Sequence, residues 1–443
     1  MYFFDRFLSN FFVKFKSFYS RKYVIGENRF IRLRKMSFED YVTYVFVQRG
    51  NTNFSEAIRF YRGFLKKDFE SITRQAVGKQ RMFISPDLYK DVHTSFVDNL
   101  YDKYKGFSKI NGYIVTAGDT SIMDLPSNKN IKEEMDVKKN FQTGNENSRA
   151  RVSCFLDVNS RIVLSASIVP KKIPEVKLAI KHLMELNERM DITKMITTYD
   201  RGYDSKKLML ETECMNSKFL IRLRKDTFKK QIKNMKTDDE IITINITNKL
   251  LNEIEDENLR KKAEKMGRLK IRIVKVKLKT GEIETLGTNL SKDEFSSEDL
   301  KNLYRKRWEI ETGFDRLKNY VRIEDFSGRS TQLIEQDFYA NIFLYNVAVC
   351  IKMDATKRIM RQPRKRKHKY DYVVNFSQVI SLLYEKFFDL ITDIPFMKDK
   401  IVCFMIHESA RDPTNKRIDV ERERGSLLDP NNDHNGYTKN PIV

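Results

Sequence analysis

Tyr113-Ile-Val-Thr-Ala-Gly-Asp119 is a β-branched, apolar run that closes on a carboxylate, and the segments that follow it decide the fold. Val152-Ser-Cys-Phe-Leu-Asp-Val, a turn at Asn159-Ser160-Arg161 and Ile162-Val-Leu-Ser-Ala-Ser-Ile-Val read as a hairpin. After Pro174 an amphipathic helix carries Val176, Ile180, Leu183, Met184 and Leu186 on one face. Met195-Ile-Thr-Thr-Tyr is then a short buried strand that again ends at a carboxylate, Asp200.

Three antiparallel strands, a helix and a returning strand are the order of a ribonuclease H-like core. The first and fourth strands are neighbours in that order, which brings Asp119 and Asp200 together at their ends. Beyond Lys218-Phe-Leu-Ile-Arg-Leu-Arg, strand-like segments recur at 241–246, 269–279 and 284–290, with Gly281 turning the chain between the last two. The alternation of apolar residues with Lys and Arg between 269 and 279 predicts a half-buried strand with one basic face. That face suits a phosphate backbone, and equally a sheet edge defended by lysines.

A long helix is expected between Ser296 and Arg322, with Ser297 as its N-cap and Glu298 and Asp299 in its first turn. On it, Tyr304, Arg307, Glu311 and Lys318 fall within a stripe about 60° wide. A second stripe of Leu303, Ile310, Phe314, Leu317 and Val321 would bury the helix against the core. Helices continue to about 408, broken by the basic run Arg361-Gln-Pro-Arg-Lys-Arg-Lys-His-Lys, which reads as a solvated loop or as a DNA contact. The polar tail past Asp412 reads as mobile.

Upstream, residues 37–105 are helical in period. Within them, 71–86 reads either as a helix-turn-helix, with Gly78 in the turn and Arg74, Lys79 and Arg81 open to phosphates, or as an ordinary helical hairpin. Asp5, Arg6, Lys14 and Lys16 interrupt the Phe-rich start, so Met1 to Tyr23 has neither a signal-peptide core nor a membrane span and reads as an amphipathic helix packed on the body. The fold class is therefore α/β, a ribonuclease H-like core interrupted by a strand-rich insertion. Five segments follow: a helical N-terminal DNA-binding region (1–108), the core's first part (109–217), the β insertion (218–295), the core's second part (296–350) and a helical, basic C-terminal region (351–443).

With 83 Lys and Arg against 61 Asp and Glu, the net charge of +22 repels itself unless a polyanion neutralises it, so nucleic acid is the first partner to consider. Cys154, Cys214, Cys350 and Cys403 form no CxxC pair, which excludes a zinc ribbon or disulfide framework and fits a reducing cytoplasm. Phosphodiester transfer uses two hard cations about 4 Å apart, and carboxylates are their preferred ligands. Asp119, Asp200 and Glu311 are the candidate set.

Tyr304-x2-Arg307-x3-Glu311-x6-Lys318 resembles the Tyr-Arg-Glu-Lys signature of the bacterial DDE transposases grouped as insertion-sequence family four. Asp200-Arg-Gly-Tyr203 is similar to that family's motif around its second aspartate, and Asp119-Thr-Ser-Ile-Met-Asp-Leu-Pro126 to the segment around its first, although here the Gly precedes the Asp. The resemblance spans about residues 35–410. It implies cut-and-paste transposition: cleavage at terminal inverted repeats and strand transfer into target DNA within a synaptic homodimer, in the bacterial cytoplasm at the nucleoid. Asp119, Asp200 and Glu311 would ligate two Mg2+ or Mn2+ ions, and Tyr304, Arg307, Lys318 and Arg201 would hold DNA phosphates. Trp308, the only tryptophan, lies inside the signature and reads as structural.

Overall fold

The computed structural model describes residues 3–32, 34–51, 53–67, 73–126, 128–139, 146–277, 281–361, 372–391, 395–411 and 414–415. Nine strands form one mixed sheet: β1 (Ile114–Leu125), β2 (Asp136–Lys139), β3 (Glu146–Asp157), β4 (Val163–Pro170), β5 (Met195–Tyr199), β6 (Lys218–Arg222), β7 (Asp239–Asn245), β8 (Arg268–Lys277) and β9 (Ile283–Thr288). The order is β2-β3-β1-β5-β6-β9-β8-β7, with β4 also paired to β3. β1 runs antiparallel to β3 and parallel to β5, and β5 parallel to β6. The strands of the 218–295 segment thus join the same sheet, through Leu220↔Thr288 and the two pairs beside it.

The principal helices are α1 (Phe3–Val13), α2 (Phe38–Phe46), α3 (Arg74–Arg81), α4 (Asp87–Lys103), α5 (Glu175–Asn187), α6 (Lys206–Cys214), α7 (Ser297–Arg305), α8 (Glu309–Asn319), α9 (Thr331–Arg361), α10 (Phe376–Ile391) and α11 (Pro395–Arg411). Phe155 meets His182 of α5 at 5.1 Å between ring centroids, while the next residue, Leu156, packs against Gly313 of α8. Successive strand residues point to opposite faces, so α5 and α8 cover opposite sides of the sheet. A Cβ on Gly313 would stand 2.8 Å from the Leu156 side chain, and the glycine is what lets α8 lie this close.

The Phe-rich start is helical and buried, as its pattern predicts. Phe11, Phe46 and Phe96 converge on Phe343 of α9 at ring separations of 5.8, 5.6 and 5.4 Å, and Phe12 meets Phe387 of α10 at 5.7 Å. The N-terminal helix α1, α2 and α4 therefore share one aromatic core with α9 and α10, where large rings contribute most of the buried area. Helix α9 runs unbroken through residue 350.

Several local expectations change. Gly78 lies inside α3, so the turn between α3 and α4 falls at 82–86. Arg81 is buried, not open to phosphates: it donates to Asp337 at 2.7 Å, Ser327 at 2.7 Å and Gln336 at 3.1 Å, tying α3 to α9. Lys79 is exposed, and the side chain of Arg74 lies outside the described residues.

Strand β8 is not an edge, since β7 and β9 flank it. Nor does it have one basic face: Ile273 and Val274 are both buried, so the alternation changes phase and Lys270 and Lys275 leave on opposite sides. Arg272 is buried too, held by Asp239 at 2.7 Å and by the Ser291 and Phe295 carbonyls. The basic run at 362–369 and the tail from 416 lie outside the described residues.

Candidate active site

The last parallel pair of β1 and β5 is Ala117↔Thr198. Asp119 and Asp200 each stand two residues further on, so the register sets them side by side at the carboxyl ends of adjacent parallel strands, the usual position for ligands in such sheets. The strands do not end alike. β1 continues through Asp119, which pairs with Cys154, because β3 supplies hydrogen bonds out to Leu125. β5 stops at Tyr199, and Asp200 caps a single 3-10 turn by accepting the Gly202 N–H at 2.8 Å. A buried bond from Thr116 Oγ1 to Thr197 Oγ1 at 2.9 Å ties the two strands just below the carboxylates.

Gly118 points to the other face, where the Tyr199 ring sits. A Cβ there would lie 2.6 Å from that ring and 3.1 Å from Phe155, so the glycine before Asp119 answers a packing demand.

The third carboxylate arrives on a broken helix. Ser296, not Ser297, is the N-cap, in a capping box with Asp299. The expected single helix is interrupted by a 3-10 turn at Lys306–Trp308, after which α8 begins at Glu309. Leu303, Ile310, Phe314, Leu317 and Val321 are all buried, as their stripe predicts. Arg307, on the 3-10 turn, is buried and donates from Nη2 to Glu311 Oε1 at 2.8 Å and from Nη1 to Asp119 Oδ2 at 3.5 Å. Its guanidinium also lies 5.3 Å from the centre of the Trp308 ring, giving the half-exposed tryptophan a structural contact.

Burial pushes the Asp119 carboxyl up to about 7; the neighbouring charges of Asp200 and Glu311 add to this, while the Thr120 N–H and Arg307 oppose it. Three acidic side chains thus act on one another, with a single guanidinium spanning two of them. Hard oxygen donors of this kind suit Mg2+ or Mn2+. Among the described residues no three carboxylates converge on one point as a closed cage would. Arg307 occupies the position between Asp119 and Glu311 for which a cation would compete.

The four expected phosphate contacts are placed differently. Tyr304 is buried, and Arg307 is engaged as above. Lys318 donates to the Ile122 carbonyl at 2.8 Å and pairs with Glu324 at 3.5 Å, strapping α8 to β1. Arg201 is exposed.

One carboxylate escaped the sequence reading. Glu175, the first residue of α5, accepts the Thr120 hydroxyl at 2.8 Å beside Asp119. Its only signal was a charge in a helix's first turn, which the helix dipole explains without any site.

Acidic side chains gathered at the ends of adjacent parallel strands, and supplemented from a neighbouring helix, place the chain in the class of α/β proteins built for chemistry at a sheet's carboxyl edge. The transposase DDE domain family matches residues 110–347, from the start of β1 into α9, and the chain belongs to that family: it is a DDE transposase, an enzyme of DNA transposition. Among solved structures, the cryo-EM structure of the piggyBac transposase synaptic complex with hairpin DNA is similar, at a TM-score of 0.45 and 11% identity over 93% of this chain and 87% of that one. No curated protein matches the chain. No helix among the described residues is long and apolar enough to cross a membrane.

Proposed function

We propose that this DDE transposase cleaves DNA at terminal inverted repeats and joins the ends to target DNA, with Asp119, Asp200 and Glu311 holding two Mg2+ or Mn2+ ions. The observation that carries the reading is the shared register of β1 and β5, which sets Asp119 beside Asp200, together with Arg307, which links Asp119 to Glu311. When bound, the cations would activate the attacking oxygen and stabilise the leaving one. The strand order β3-β1-β5-β6 with α5 between β4 and β5 supports a ribonuclease H-like core. The Tyr304, Arg307, Glu311 and Lys318 spacing supports the insertion-sequence family four group.

Within this reading, 1–108 contributes DNA binding, 218–295 is an insertion into the core, 351–443 is a basic helical region, and two copies act in the synaptic complex. Arg201 and Lys318 meet phosphates at the site's rim. Arg307 reaches them once a cation takes over the charge of Asp119 and Glu311.

Asp119→Asn, Asp200→Asn and Glu311→Gln each remove a charge and little volume. On a labelled terminal repeat each should abolish nicking and joining in Mg2+ or Mn2+ while binding the end nearly as the parent does. Parent-like nicking by any one of them removes that residue from the triad.

A further inference from the structure

Glu175 stands among the catalytic candidates in a way that its place at a helix start does not require. Its Oε1 accepts the Thr120 hydroxyl at 2.8 Å and lies 3.7 Å from Arg151 Nη1. Its Oε2 faces Asp200 across Gly202: a Cβ on that glycine would stand 3.0 Å from Glu175 Oε2 and 2.9 Å from Asp200 Oδ1. Arg151 offsets the charge on the Oε1 side, and the two anions repel each other where Oε2 and Asp200 meet.

A second feature points the same way. Tyr203 is 1% exposed, and its hydroxyl has no hydrogen-bond partner among the described residues. Burial is the main cause that raises its pKa, and Asp119, Glu175, Tyr199 and Asp200 add to this. Buried hydroxyls are nearly always satisfied, so this unpartnered hydroxyl, three residues on from Asp200, is a polar group the protein alone leaves unanswered.

We propose that Glu175 is a fourth acidic ligand of the divalent-cation site, sharing a cation with Asp200 beside the carboxyl end of β5. Oε1 is the anchored oxygen, held by Thr120 and Arg151, and Oε2 is the one offered to the metal. Adding a carboxylate to a hard-cation site raises its affinity. The proposal rests on the reading of Asp119 and Asp200 as cation ligands.

The test is Mn2+ binding to the full chain without DNA, followed by electron paramagnetic resonance. Glu175→Gln should weaken Mn2+ binding at least tenfold, and Glu175→Asp less. Gly202→Ala keeps every charge but sets a methyl against both oxygens, and it should weaken binding too. Asp200→Asn is measured in parallel. If Asp200→Asn loses Mn2+ while Glu175→Gln binds as the parent does, the three-carboxylate reading stands and Glu175 is merely an anchor for Thr120. Should Glu175→Gln not fold, parent-like binding by Gly202→Ala overturns the proposal equally. If Asp200→Asn also binds as the parent does, the reading beneath it is lost.

Discussion

At Asp119, burial and two neighbouring acids oppose ionisation, and the sign of the resulting pH dependence follows. The folded carboxyl titrates at about 7 against an ordinary 3.8, so between those values the folded state keeps a proton that the unfolded chain has released. Its contribution to stability is therefore intact at low pH and is lost as pH rises from 3.8 to about 7. A divalent cation bound to the ionised form reverses that loss. Mg2+ should raise the thermal midpoint more at pH 8 than at pH 5.5, read by thermal shift, and equal shifts at both would separate Asp119 from the cation site. One residue earlier, Gly118→Ala would press a methyl into the buried Tyr199 ring at 2.6 Å. Overpacking of this kind costs about 1–3 kcal/mol, measurable as a lower urea midpoint.

Among the elements, the helices and strands that could be read without the fold are those whose pattern has a single period. Helix α5 and strand β5 begin and end within a residue or so of where apolar spacing, Pro174 and Asp200 place them. The 296–322 helix kept its apolar stripe but was interrupted by a 3-10 turn at Lys306–Trp308, between Tyr304 and Glu311, which leaves no mark in the spacing of its side chains. Strand β8 misled because its charges look alike in sequence. Arg272 is the buried one; truncating it would leave the Ser291 and Phe295 carbonyls without this donor, while Asp239 would keep Ser297 and Lys292. Arg272→Ala should destabilise the protein by about 1–3 kcal/mol, the cost of leaving buried acceptors unsatisfied. Lys270→Ala, on the exposed part of the same strand, should change the denaturation midpoint little.

For the molecule as a whole, the net charge of +22 makes DNA affinity a matter of counterion release. Log affinity should fall steeply with log salt, and a slope equivalent to only one or two phosphates would sink this expectation. Deleting Arg364 to Lys369 should flatten the slope if that run touches DNA, and an unchanged slope would assign it to solvent. Charge is not spread for this purpose alone, however. Arg81 and Arg272, which look available for phosphates, are consumed inside the protein, one joining α3 to α9 and the other holding β8 to the lead-in of α7. The aromatic cluster around Phe343 likewise joins α1 and α2 to α9, so the DNA-binding reading of 1–108 concerns a surface packed on the body.

The sequence by itself determined what depends on near neighbours: the period of α5 and β5, the apolar stripe of the 296–322 segment, the acidic residue that follows each of two apolar runs, and the spacing that puts Tyr304, Arg307, Glu311 and Lys318 in one segment. These are local because backbone geometry sets them within a few residues. Tertiary structure alone decided which charge meets which. Arg307 found Asp119 from 188 positions away and Arg81 found Asp337 from 256. Glu175 came to face Asp200 only because α5 packs back on the sheet beside β5. A charged side chain carries no mark of its partner, and burial, which turns such a pair from a solvated contact into a committed one, is a property of the folded whole.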